Sequence, residues 1–202
     1  MRVMRSVRHL TPRYVVNRTR VFLDQKRHPD WPWLAASIVP LIEDRLKASD
    51  TGIEWGSGRS TVWFASRVRS MTTVEHDAGW AHKVGSMLRE KNRNNVTMVV
   101  ATGPEEYVNA ATEIPASSLD FALVDGMWWE RDKCAHRAIA LLRPGGMLIV
   151  DNVHAFLPGQ TYAPGAMTSD TPLWREFEAK VRNWACVRKS NGVWDTAFWI
   201  RS

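Results

Sequence analysis

The chain has 202 residues, 45% apolar and 24% charged, which suits one ordinary globular domain with a substantial buried core. No apolar run approaches the roughly 20 residues a bilayer-spanning helix requires, and no continuous apolar segment opens the chain as a secretory signal would. Two cysteines, Cys134 and Cys186, are too few for a disulfide framework and lack metal-type spacing, so a reducing, cytoplasmic setting is expected.

The net charge of +6 is unevenly placed. Residues 1–27 hold eight basic side chains (Arg2, Arg5, Arg8, Arg13, Arg18, Arg20, Lys26 and Arg27) against one acid, Asp24, and the rest of the chain is close to neutral. Val3, Val7 and Leu10 have helical spacing beside those arginines. The pattern predicts a basic N-terminal extension over 1–30, ahead of a single domain over 31–202. A contact with a membrane surface or nucleic acid, or an organelle presequence, would use such a segment. An ordered extension with a solvated basic face is the preferred reading.

After the rigid stretch His28-Pro29-Asp30-Trp31-Pro32-Trp33, residues Leu34–Leu46 read as an amphipathic helix that Pro40 kinks or opens. Strands and helices then alternate. Thr51–Trp55, Met71–Glu75, Val96–Val100, Phe121–Val124 and Met147–Val150 read as strands. Helices are expected over Ala78–Lys91 with Asp77 as N-cap, Pro104–Ala111 and Trp129–Leu142, with Arg143-Pro144-Gly145-Gly146 as a turn. Residues 153–171, rich in Pro and Gly, read as a lid or binding loop before a helix at Leu173–Val181. Ala185–Lys189 and Thr196–Ile200, joined through Ser190-Asn191-Gly192, form a closing hairpin. The series predicts an α/β fold: a Rossmann-like, doubly wound, mainly parallel seven-stranded sheet with an antiparallel C-terminal hairpin strand.

The stretch Thr51–Ala65 carries the first functional signal. A strand runs into Gly56-Ser57-Gly58, and Ser60 or Thr61 opens a helix, so backbone can approach a ligand and the helix N-terminus can face it. A dinucleotide site wants a third glycine where Thr61 stands. Glu75, nineteen residues after Gly56 at the end of the second strand, suits the hydroxyls of any adenosine ribose. Glu54 decides between cofactors. A carboxylate two residues before the first glycine would repel a pyrophosphate, yet it sits comfortably beside the cationic amino-acid portion of S-adenosylmethionine (SAM).

GIEWGSGRSTVWFA, TVEHD, FALVDG and LLRPGGMLIVDN, in this order and spacing, resemble the motif series of class I SAM-dependent methyltransferases. The resemblance spans roughly residues 30–202, and SNGVWDTAFWIR resembles the end of a bacterial group within that family. It implies a methionine cradle at Glu54, Gly56, Ser57, Gly58 and Ser60, a ribose acceptor at Glu75, and an adenine flank at Thr102-Gly103.

Methyl transfer from a sulfonium asks the protein to align the acceptor and remove its proton. The residues for that should lie at the carboxyl ends of the fourth and fifth strands, where Asp125, Asp151, Asn152 and His154 fall. Asp125 and His154 are the catalytic candidates, with Asp125 also beside the cofactor. Asp125, Asp151 and Asn152 also resemble the metal ligands of cation-dependent catechol and caffeoyl-CoA O-methyltransferases, a hard oxygen set for Mg²⁺ or Ca²⁺. The lysine those enzymes place after the first aspartate is replaced here by Gly126-Met127-Trp128-Trp129, the first lysine being Lys133. Trp128, Trp129 and Tyr162 could wall the acceptor, whereas His76, His82 and His136 read as surface residues and Cys134 as core.

The leading expectation is methylation of a small-molecule acceptor, at a hydroxyl oxygen before a nitrogen. A nucleic-acid methyltransferase using the basic arm, a NAD-dependent oxidoreductase and a non-catalytic SAM sensor are the alternatives. The near-neutral domain and the absence of an Asn/Asp-Pro-Pro-Tyr/Phe motif argue against nucleic acid as partner. A homodimer stays open as an assembly.

Overall fold

The structure, a computed structural model, describes residues 11–168 and 171–202. The apolar spacing of Val3, Val7 and Leu10 and the arginines at 2, 5 and 8 lie outside the described residues. A seven-stranded sheet runs through the domain: β1 (Thr51–Trp55), β2 (Ser70–Glu75), β3 (Val96–Val100), β4 (Leu119–Val124), β5 (Leu142–Asp151), β6 (Ala185–Ser190) and β7 (Asp195–Ile200). Its order is β3-β2-β1-β4-β5-β7-β6. Five strands are parallel, and β7 inserts antiparallel between β5 and β6. The expected architecture is present, closing hairpin included.

Both faces of the central strands are covered, so β1 and β4 are buried along nearly their whole length, Glu54 included. Ile53, Trp55, Ala122 and Val124 point to one core with α5 (Pro104–Asn109), α6 (Arg131–Leu141) and α7 (Pro172–Val181). Phe121, Leu123, Met147 and Ile149 point to the other, under α2 (Val39–Glu43), α3 (Arg59–Ala65) and α4 (Ala78–Glu90). Alternation puts Glu54 on this second face, beneath the first turn of α3.

Three local expectations are corrected. Residues 34–46 do not form one helix: a 3-10 turn at Ala36–Ile38 leads into the five-residue α2, with Pro40 in its first turn. Proline has no N–H to give an earlier carbonyl, so the helix starts there and does not run through. Trp128–Glu130 is a 3-10 turn and α6 begins only at Arg131. Arg143-Pro144-Gly145-Gly146 belongs to β5, where Gly145 at φ +82° carries an irregularity and donates its N–H to the Arg201 carbonyl at 2.8 Å.

The N-terminal segment forms α1 (Pro12–Arg27), capped by the Thr11 hydroxyl, which accepts the Tyr14 N–H at 3.2 Å. Val21 is its buried residue, while Val15, Val16, Phe22 and Leu23 are exposed. The segment predicted as a lid opens with a 3-10 turn at Val153–Ala155 and buries Phe156, Leu157 and Ala163. Among the described residues, no helix is long and apolar enough to cross a membrane.

Candidate active site

Strand order reverses between β1 and β4, and the carboxyl ends flanking that point carry Gly56, Glu75, Asp125 and Asp151. Gly56 has φ +98°, a conformation open to glycine at little cost, and donates its N–H to the Val74 carbonyl at 2.8 Å. A Cβ on Gly56 would stand 2.5 Å from the Cα of Gly126, while one on Gly126 would overlap the Tyr107 hydroxyl. The loops after β1 and β4 therefore meet backbone to backbone.

Glu54 is fully buried, and its carboxylate accepts the hydroxyls of Ser60, of Thr61 at 2.6 Å and of Thr73 at 3.1 Å. Burial pushes its carboxyl up to about 7, against the opposing effect of those hydroxyls. Thr61 in turn accepts the Gly58 N–H at 2.8 Å, so Glu54 fastens the glycine turn from below. Its oxygens face these hydroxyls, not the cavities above.

Glu75 is buried too. One oxygen accepts the Ser57 N–H and hydroxyl, both at 2.9 Å. The other accepts the N–H groups of His76 at 2.8 Å and Asp77 at 2.9 Å, with His76 Nδ1 at 2.9 Å. Trp80 closes the same loop by donating Nε1–H to the Ser57 carbonyl at 2.8 Å.

Three cavities open around this cluster. One of about 340 Å³ is lined by Gly56, Ser57, Glu75, His76, Trp80 and Asp125. A second, about 370 Å³, has Trp33, Ser57, Arg59, Ser60, Lys83 and Asp125. The third, about 350 Å³, has Arg18, Gln25, Trp33, Asp125, Asp151, Asn152 and Trp194. Asp125 is common to all three.

The three residues expected as metal ligands do converge, around a guanidinium. Arg131, 5% exposed, donates to Asp125 Oδ1 at 2.9 Å, to Asn152 Oδ1 at 3.2 Å, to the Asp151 carbonyl at 2.9 Å and to the Asp125 carbonyl. Asp151 Oδ1 accepts the Thr196 hydroxyl, and its Oδ2 accepts the Asn152 amide at 2.8 Å. A fixed positive charge thus holds two of the three expected ligand side chains and would repel Mg²⁺ or Ca²⁺. Among the described residues no group of three or more His, Cys, Asp or Glu is placed to hold a metal. The donor set does not fit a divalent ion. Burial raises the carboxyls of Asp125 and Asp151, the latter further through the charge of Asp125, while Arg131 opposes both shifts.

His154 stands apart from this cluster. It is buried, its Nδ1 accepts the Asp195 N–H at 3.2 Å, and its carbonyl accepts the Met167 N–H at 3.0 Å. Burial lowers its pKa, which favours the neutral ring. It ties the loop to β7, and the cavities around Asp125 are lined without it. Thr102 is exposed after β3, and Gly103 opens α5; they too lie outside those linings. Trp129 is 73% exposed, and Trp128 packs on Phe156 at 4.6 Å between centroids. The tryptophans that line the cavity over Asp125 and Asp151 are Trp33 and Trp194.

Sequence reasoning missed Arg131, Gly126 and Arg18. A signal for Arg131 existed: a cation at a helix N-terminus is unfavourable, so it needs nearby acceptors, and Asp125 precedes it by six residues.

The family model described as a methyltransferase domain matches residues 53–153, half of the chain. The chain belongs to this family. No curated protein matches its sequence. Among solved structures it is similar to the O-methyltransferase TomG of Streptomyces achromogenes, involved in tomaymycin synthesis and solved with SAM. Identity is 19%, with 92% of this chain and 90% of that one covered at a TM-score of 0.61. A candidate caffeoyl-CoA O-methyltransferase from Staphylococcus aureus gives 18% identity, coverage of 96% and 95%, and a TM-score of 0.61. An rRNA methylase from Streptococcus thermophilus gives 12%, coverage of 81% and 92%, and 0.57. At these identities the likeness is one of fold. The family makes the protein a methyltransferase, with the fold of an enzyme solved with SAM.

Proposed function

We propose that the protein methylates a hydroxyl oxygen of a small-molecule acceptor, with Asp125 as general base. The observation that supports this is the position of Asp125, which lines the cavities beside Gly56 and Glu75 and also the one with Asp151 and Asn152. A group shared by a cofactor-side and an acceptor-side cavity can meet an acceptor where the methyl group is delivered.

The cradle suits the cofactor. The Gly56 turn brings backbone to the cavity edge, and Glu75 supplies oxygens for the ribose hydroxyls. Glu75 already accepts the Ser57 hydroxyl and faces the His76 ring, so those two side chains would rotate away while backbone N–H groups keep the carboxylate in place. Gly58 and Ser60 complete the cradle, Glu54 holds it from beneath, and Thr102-Gly103 remain the proposed adenine flank. When bound, SAM supplies a methyl group on a sulfonium, which is electrophilic without further activation.

Asp125 does the rest. Arg131 fixes its Oδ1, leaving Oδ2 to accept the acceptor's hydroxyl proton. Its raised pKa makes it a stronger base than an ordinary carboxylate. Deprotonated Asp125 is required, so kcat should rise with pH through a value above the ordinary carboxylate 3.8. No step passes through a metal, because Arg131 supplies the positive charge among these oxygens.

Asp125→Asn tests the assignment. Its kcat with a hydroxyl acceptor should fall roughly a hundredfold or more, and the acid limb should disappear, while S-adenosylhomocysteine still binds. Unchanged kcat would remove Asp125 from the chemistry.

A further inference from the structure

The basic N-terminal helix is part of the acceptor side. Val21 of α1 is buried, and the Asn17 amide lies so close to Gly192 that a Cβ there would overlap it. The Arg13 guanidinium stands 3.9 Å above the Tyr162 ring, which ties the start of α1 to the loop after β5. Held at the hairpin and at this loop, α1 presents Arg18 and Gln25 to the cavity lined by Asp125, Asp151, Asn152, Trp33 and Trp194. Those two residues are seven apart, about two helical turns or roughly 10 Å along one side of the helix.

The charges around that cavity are unevenly satisfied. Asp125 is paired with Arg131, and both Asp151 oxygens accept hydrogen bonds from Thr196 and Asn152. Arg18 is exposed and makes no ion pair among the described residues; its guanidinium rests 5.9 Å from the Trp194 ring centroid. An aromatic surface beneath a guanidinium holds it without neutralising it. The cavity therefore combines two indole walls, a base on one side and, on the other, a cation that makes no ion pair among the described residues.

We propose that the acceptor is a planar hydroxyl compound carrying an anionic oxygen group, a carboxylate or a phosphate, which Arg18 binds in fork geometry while the ring lies against Trp33 and Trp194. This deepens, and rests on, the hydroxyl-methylation reading. Arg18 is a specificity residue here and takes no part in proton transfer. The N-terminal basic segment acquires a local use: it supplies the acceptor's counter-ion.

The test uses the full chain saturated with S-adenosylhomocysteine and three probes of one shape: 4-hydroxybenzoate, 4-hydroxyphenyl phosphate and neutral 4-hydroxybenzamide. Calorimetry should show at least one anion binding roughly tenfold or more tighter than the amide, and the better anion distinguishes carboxylate from phosphate. Arg18→Ala should abolish that preference and Arg18→Lys keep part of it, with S-adenosylhomocysteine affinity and melting temperature unchanged. Equal binding of all three probes, binding of none, or a preference that survives Arg18→Ala overturns the proposal. Methyl transfer separates it from the reading beneath it. Transfer to the hydroxyls without anion preference leaves oxygen methylation standing and removes the Arg18 site. Arg18-dependent anion binding with no transfer to any hydroxyl does the reverse.

Discussion

The two halves of the proposed site are built in opposite ways. The cofactor half is local: Glu54, Gly56, Ser57, Gly58, Ser60, Thr61, Thr73 and Glu75 fall within 22 consecutive residues and satisfy one another almost completely. The acceptor half is assembled from distant segments, with Arg18, Trp33, Asp125, Asp151 and Trp194 around one cavity and Arg131 behind it. The first half is stiff because hydroxyls and N–H groups surround buried carboxylates. The second depends on a single guanidinium for its internal balance. A cradle for a constant cofactor can be fixed once, whereas a pocket drawn from many segments changes one wall at a time.

Removing Arg131 should break the acceptor half. Arg131→Met leaves Asp125 without its partner and three carbonyls without a donor, which should cost about 3 to 4 kcal/mol in denaturant unfolding. The figure is at the low end for a buried pair because the Asp125 side chain remains 32% exposed. A loss under 1 kcal/mol would mean that the guanidinium is not what balances these oxygens.

The cofactor half should reveal itself through pH. The Glu54 carboxyl titrates near 7 when folded and near 4.5 when exposed, so the folded state holds the extra proton between those values. The contribution of Glu54 to stability is therefore greatest below about 4.5, falls as pH rises, and levels off above 7, a total near 3 kcal/mol. Glu54→Gln should remove this decline, visible as a flatter melting temperature between pH 5 and 8. A parallel decline in the variant would assign the effect elsewhere. The smallest effect is expected at Glu75→Gln, where the S-adenosylhomocysteine Kd should rise about tenfold. An unchanged Kd would mean that Glu75 serves only its own loop.

What the sequence disclosed follows the same division. Strand, glycine turn and helix around Gly56 lie side by side in the chain, as do Asp125-Gly126 and Asp151-Asn152, so short-range pattern was enough to find them. The mainly parallel sheet with its antiparallel closing strand could be anticipated from strand–helix alternation and the C-terminal hairpin, though the order of the strands could not. Side-chain direction could not. Glu54 was expected beside the ligand but faces α3, because Ile53 and Trp55 take the other side of β1. His154 follows Asn152 by two residues yet turns under the loop towards Asp195, and the pairing of Gly56 with Gly126 needed the β1–β4 neighbourhood. Arg18 was counted only as part of a charged run, since nothing in residues 1–27 signals a fit against Gly192 or Tyr162.

Thr196 gives the molecule an order of completion. Its hydroxyl donates to Asp151 and accepts the Ala35 N–H at 2.9 Å, linking β7 to the start of the domain across 161 positions. The bonds from Glu75 to Ser57 join residues made early, whereas Asp151 gains this partner only when β7, the last strand in the chain, takes its place between β5 and β6. The carboxylate beside Asp125 is thus secured last, by a strand that joins the sheet after every parallel strand is in place.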